Sequence, residues 1–134
     1  MSSTAGDALV RVLEVVKHYG TAAAPVPALR GVSLEVCRGE RIALLGRSGS
    51  GKSTLLNLLG GLDQATAGQI EVSGRDLSRL SRRELARYRL ATVGMIFQSF
   101  NLIPSRTALQ NVELPMIFAG LRPRERRYKA RQSL

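Results

Sequence analysis

The sequence predicts an α/β protein, and three observations carry that expectation. Short apolar runs of strand length alternate along the chain with segments of helix formers. A Gly/Ser-rich turn, "GRSGSGKST" (46–54), joins one such run, "RIALL" (41–45), directly to the helix formers "KSTLLNLL" (52–59). Hydrophobic residues make up 44% of the 134 residues, which is enough to bury a core.

The elements follow in order. Residues 9–16 ("LVRVLEVV") are rich in β-branched side chains and predict a strand. Gly20, Pro25 and Pro27 then mark residues 17–31 as a loop. It leads into an alternating, half-exposed strand over 29–36. "CRGE" turns the chain into 41–45, short and apolar enough for a buried parallel position. After the helix over 52–59, the turn-rich "GGLDQATAG" leads to a short strand at 69–73. Ser81, with Glu84 three residues on, predicts a capping box opening a helix that runs to Leu90. "TVGMIF" (92–97) predicts a further strand. Beyond Gln98 the pattern turns helical over 107–119, where Pro115 should kink or interrupt the helix, and again from Pro123, a proline suited to a first helical position. No internal repeat or low-complexity segment is evident.

Composition excludes several classes. No apolar run approaches the about eighteen residues of a membrane span, and "MSSTAGDALVRV" lacks the pattern of a secretory leader. The single cysteine, Cys37, excludes an internal disulfide and has no neighbouring cluster to make it a metal ligand. The net charge of +10 invites a nucleic-acid reading. Its basic residues, however, concentrate in "SRLSRRELARYR" and "LRPRERRYKAR", helical stretches with one tyrosine each in a chain only 4% aromatic, short of the interleaved aromatics of a single-strand binder. Solvated helix faces, or a contact surface for anionic lipid or a partner, fit better than specific nucleic-acid binding.

The chemistry lies in the glycine-rich turn. Gly46, Gly51, Lys52 and Ser53 satisfy G-x-x-x-x-G-K-[ST]. Gly46, Gly49 and Gly51 let the backbone wrap a phosphate, and successive N–H groups, including those of Ser48 and Ser50, can point at the anion. A helix beginning at Lys52 adds the positive end of its dipole. Lys52 can reach the β- and γ-phosphates, Ser53 can ligate Mg²⁺, and Thr54 can bond a phosphate further back. These residues predict a P-loop that binds the phosphates of a nucleotide together with Mg²⁺; ATP as the nucleotide is what the resemblance of the remaining segments implies. The motif by itself leaves ATPase, GTPase and kinase open; no N-K-x-D base-reading motif is present.

The remaining segments resemble the ATP-binding domains of ABC transporters, from about Leu9 to Leu121. The phosphate loop, its helix and "ATAGQIEVSGRDL" come in that family's order, followed by "VGMIFQSFNLIP", which looks like its Q-loop, and "TALQNVELPM", which resembles the start of its helical subdomain. The last two segments are most similar to the subgroup containing lipoprotein-releasing and macrolide-export ATPases. The resemblance implies that Tyr19 stacks on adenine, a contact worth about 1–3 kcal/mol, and that Gln98 touches Mg²⁺ or the attacking water as a catalytic partner of Lys52. Read without the resemblance, Tyr19 is an ordinary surface tyrosine and Gln98 a strand-end polar residue. His18 reads as an exposed histidine, and Arg47 stands where the family often has a small residue.

The same resemblance implies an α/β fold with N-terminal antiparallel strands, an incomplete parallel core sheet and the start of a helical subdomain. Residues 1–98 would belong to the nucleotide-binding core and 99–134 to the helical subdomain. It further implies a transmembrane permease partner, a second ATP-binding protomer and a peripheral place on the cytoplasmic face of the inner membrane. No "SGGQ", no adjacent acidic pair and no histidine after the loop occur in the 134 residues. The expectation is therefore a fragment of a longer ATPase that by itself hydrolyses ATP poorly. A non-catalytic ATP-binding module remains the alternative.

Overall fold

The computed structural model describes residues 8–134; the first seven residues of the stretch read as lacking a leader fall outside the described residues. The chain forms two compact units, the first ending at Arg87 and the second spanning Tyr88–Leu134.

The first unit is built on a long hairpin. β1 (Ala8–Thr21) and β2 (Ala24–Cys37) pair antiparallel along their whole length, joined by the two-residue turn at Ala22 and Ala23. This corrects the loop expected over 17–31. Pro25 and Pro27 are compatible with a strand because β2 is an edge of the sheet, where one row of backbone groups needs no partner. The turn signals were real, but two positions are enough to reverse the chain. β1 also pairs antiparallel with β3 (Ala67–Val72), and β3 turns through Ser73 and Gly74 into the short β4 (Arg75–Asp76), giving the order β2-β1-β3-β4. Arg11 sits opposite both Glu35 and Glu71, and its Nε lies 2.8 Å from the Glu35 carboxylate.

A bulge decides which side chains of β1 face the core. Val12 and Val15 are both fully buried, although residues three apart on a regular strand point to opposite faces. The register of β1 slips between these residues against β2, and between Leu13 and Val16 against β3. Glu14 takes up the irregularity at φ 45°. The facing residue must be glycine: a Cβ on Gly68 (φ +84°) would collide with the carbonyl of Glu14. The glycine of "TAGQI" is thus explained by strand packing.

α1 (Lys52–Leu59) lies against β2 and β3 and inserts Leu55 and Leu58 into a core shared with Val12, Val15, Leu29, Ile70, Val72 and Leu77. α2 (Arg82–Thr92) opens as expected, with Ser81 and Glu84 bonding each other's backbone N–H, and the division between the units falls within it.

In the second unit, α3 (Ala108–Phe118) begins at a capping box of Thr107 and Gln110. Asn111 secures the preceding turn by accepting from the Ile103 N–H and donating to the Ile103, Arg106 and Thr107 carbonyls. Pro115 lies inside α3 without interrupting it; the missing N–H removes one helical bond, and the flanking turns hold. α4 (Pro123–Gln132) starts with proline in its first turn, as expected. Glu113 of α3 faces Arg126 and Arg127 of α4 at 3.6 and 3.9 Å.

Residues 41–45 and 93–97 form no strand ladder among the described residues. The expected parallel strands, 41–45 and 92–97, are therefore not formed here; Thr92 ends α2 instead. Their apolar character reports a demand for burial, whereas a strand also needs a hydrogen-bonding neighbour. Leu45 and Ile96 are accordingly 92% and 100% exposed. The antiparallel N-terminal strands and the helices stand as expected.

Leu58 is the core's most informative probe. Leu58→Ala should lower stability by about 2–5 kcal/mol, whereas Leu56→Ala on the exposed side of the same helix should cost under about 1 kcal/mol. Chemical denaturation of both variants measures the difference. Gly68→Ala should destabilise through the bulge, and equal stability to the parent would contradict that account.

Candidate nucleotide-phosphate site

The loop between residue 45 and α1 is shaped by its own backbone. A Cβ on Gly46 would lie 2.6 Å from the Ser50 hydroxyl oxygen. Ser48 and Gly49 form the turn, and the Ser50 N–H donates to the Arg47 carbonyl at 3.2 Å. Gly51 then takes φ 88° as the N-cap of α1. Any side chain there would be strained and would also meet the Ala28 carbonyl and the Leu29 side chain of β2, each at 2.7 Å. Gly51 thus allows both the turn into α1 and the close seating of that turn on the hairpin.

The start of α1 has no side-chain cap and no acidic residue in its first turn. Its leading N–H groups and the positive end of its dipole remain available to an anion. Lys52 arches back over the loop. Its ammonium donates to the carbonyls of Gly46 and Arg47, both at 2.8 Å, and to the Ser50 hydroxyl at 3.3 Å. All three acceptors are neutral, so the positive charge is held at the loop without being cancelled. Ser53 is exposed and Thr54 half-buried. Arg47 contributes to the loop through its carbonyl. Gly46, Ser48, Gly49, Ser50, Gly51, Lys52, Ser53 and Thr54 lie together in this loop and helix start, a set of N–H, hydroxyl and ammonium donors of the kind a polyphosphate takes.

Tyr19 lies near the end of β1, opposite Val26. The register places Lys17 opposite Leu29, the residue that touches Gly51, so Tyr19 sits two residues along β1 from the strand pair that carries the loop. Its hydroxyl donates to Asp63 at 3.0 Å. The Lys17 ammonium donates to the other oxygen of Asp63 at 2.7 Å and lies 4.8 Å from the centre of the Tyr19 ring. Burial pushes the Asp63 carboxyl upward. Hydrogen bonds from Lys17, the Gln64 N–H and Tyr19, with the Lys17 charge, outweigh it and hold Asp63 below the usual carboxylate value. Sequence reasoning missed Lys17 and Asp63. Lys17 could have been noticed by period-two spacing once its segment is taken as strand; nothing near Asp63 in sequence announces its partners.

Gln98 lies in a bend of the second unit and is exposed. Its proposed relation to the phosphates therefore rests on the resemblance. His18 is exposed, as expected, and Cys37 ends β2 as a free thiol.

Comparison with known proteins fits this geometry. Residues 29–134 match the family described as ABC transporter. A macrolide export ATP-binding/permease protein, MacB of Marinobacter nauticus, is 48% identical over 126 residues, 94% of this chain and 20% of that protein. The lipoprotein-releasing system ATP-binding protein LolD of Geobacter metallireducens is 41% identical over 128 residues, 96% of this chain and 57% of that one. The dimeric ATP-binding cassette MJ0796, solved in a post-hydrolysis state bound to ADP and Pi, superposes with a TM-score of 0.83 at 40% identity. That match covers 92% of this chain and 54% of the other. The chain thus spans about half the length of single-cassette relatives and a fifth of the fused exporter. A match that runs through the phosphate loop, together with a cassette fold at this level of identity, makes the chain a member of the ABC transporter family.

Proposed function

We propose that this chain is part of an ATP-binding subunit that couples ATP binding and hydrolysis to transport by a membrane partner, in a system of the lipoprotein-releasing or macrolide-export kind. The observation that carries the proposal is Lys52 arched over Gly46 and Arg47 at the uncapped start of α1. In this reading the β- and γ-phosphates replace the loop carbonyls as partners of Lys52, and the N–H groups from Ser48 to Thr54 bind the remaining oxygens. Ser53 would hold Mg²⁺, with Gln98 assigned to the ion by the resemblance alone, and the ion would supply charge neutralisation at the phosphates. Among the described residues no three His, Cys, Asp or Glu side chains gather as a metal site. By the resemblance, Tyr19 would stack on adenine and Gln98 would sense the γ-phosphate.

The functional division places residues 1–98 in the nucleotide-binding core and 99–134 in the helical subdomain. The second ATP-binding protomer and the permease complete the assembly at the cytoplasmic face of the inner membrane. None of the described helices is long and apolar enough to cross a membrane. Phe100, 92% exposed, and Phe118, 71% exposed, flank the segment proposed to meet the permease, which includes Pro104 and the helix from Thr107.

Lys52→Ala should weaken Mg-ATP binding at least about tenfold, since charge-assisted hydrogen bonds to phosphate are lost. Titration calorimetry measures it, and undiminished affinity would refute the phosphate-site assignment. A polypeptide of these 134 residues alone should bind Mg-ATP with negligible turnover, measured as phosphate release. Phe100→Ser should reduce capture of the permease while leaving ATP affinity within about twofold, as expected of an interface residue outside the nucleotide site. An unchanged complex would count against that surface.

A further inference from the structure

We propose that Asp63 and Lys17 are positioning residues that hold the Tyr19 ring ready for the nucleobase and confine stacking to one face of it. The inference rests on the reading of Tyr19 as the base-stacking residue. Asp63 receives the Tyr19 hydroxyl on one oxygen and the Lys17 ammonium on the other, at 3.0 and 2.7 Å. Lys17 is fixed a second time by the Gln64 carbonyl at 2.8 Å, and in that position its ammonium lies 4.8 Å from the ring centre. One face of Tyr19 is thereby occupied by a cation that already has two partners. The opposite face is the one left for a planar base.

Asp63 is itself tied to α1. The N–H groups of Leu62 and Asp63 both donate to the Asn57 carbonyl, at 2.9 and 3.4 Å. The phosphate loop enters the N-terminal end of this helix and Asp63 follows its C-terminal end. One rigid helix of eight residues, about 12 Å long, therefore sets the position of both the phosphate cradle and the aromatic platform. A ring locked before binding spares the complex the loss of side-chain freedom on association. The gain applies to ligands that have a base and is absent for polyphosphate alone.

The test compares Mg-ATP with Mg-tripolyphosphate in the intact protein by titration calorimetry. Asp63→Ala should weaken ATP by about three- to tenfold and leave tripolyphosphate unchanged, the scale of one ordered side chain. Tyr19→Phe, which removes only the hydroxyl, and Lys17→Met should act in the same direction, and they serve where Asp63→Ala fails to fold. In a Tyr19→Ala background, Asp63→Ala should add nothing. A parallel loss for ATP and tripolyphosphate, or a loss that persists without Tyr19, overturns the inference and makes Asp63 a structural residue. If Tyr19→Ala leaves the ratio of ATP to tripolyphosphate affinity unchanged, the stacking reading falls and the inference falls with it. If Tyr19→Ala lowers that ratio while Asp63→Ala, Tyr19→Phe and Lys17→Met do not, the inference alone falls.

Discussion

The close approach of Gly51 to the Ala28 carbonyl and the Leu29 side chain of β2 fixes more of this molecule than any other contact. A residue at φ 88° with no side chain lets α1 begin directly against β2. With its start seated there, α1 packs on β2 and β3 and buries Leu55 and Leu58. The same seating presents uncapped N–H groups and Lys52 next to the hairpin instead of in open solvent. Core packing and anion binding thus share one glycine. A side chain at this position would strain the loop and separate helix from sheet together, by an amount comparable with the cost of other forbidden backbone conformations, about 1–3 kcal/mol.

The loop holds its cation on neutral acceptors. Lys52 is surrounded by carbonyl and hydroxyl oxygens, which satisfy its three N–H donors without neutralising its charge. A carboxylate partner would have to be displaced by phosphate at a far greater cost, because an ion pair would be exchanged for an ion pair. Exchanging neutral acceptors for phosphate oxygens is favourable. Asp63, the acidic group that follows α1, is occupied instead by Lys17 and Tyr19. The acid and the phosphate-facing cation therefore keep separate partners within one unit.

Features determined within a few residues were legible in the sequence. The helix over 52–59 and the capping box at Ser81 match the structure because each is specified by local hydrogen bonds. The glycine loop was legible for the same reason. Features determined by register were not. Residues 17–28 carry two prolines and a glycine, and only their place at a sheet edge and beside a two-residue turn makes them strand. The bulge at Glu14, which brings Val12 and Val15 to one face, leaves no trace in the alternation of β1. Residues 41–45 show the converse: strand composition without a ladder.

The same division runs through the candidate site. Its phosphate half is a contiguous motif, so residue types and spacing carry the chemistry. Its aromatic half is assembled from residues 46 positions apart in sequence, Lys17 and Asp63, with Tyr19 between the two in the contact network. A lysine and an aspartate in turn-rich surroundings have no meaning until the hairpin brings β1 alongside the end of α1. Once it does, their meaning is specific. An exposed tyrosine loses little on stacking if it is already immobile, and an ionised carboxylate that also anchors a lysine is a stiffer holder than a hydroxyl or an amide. The residues proposed to prepare the ring for a base are for that reason joined by distance in the fold, and a motif search does not find them.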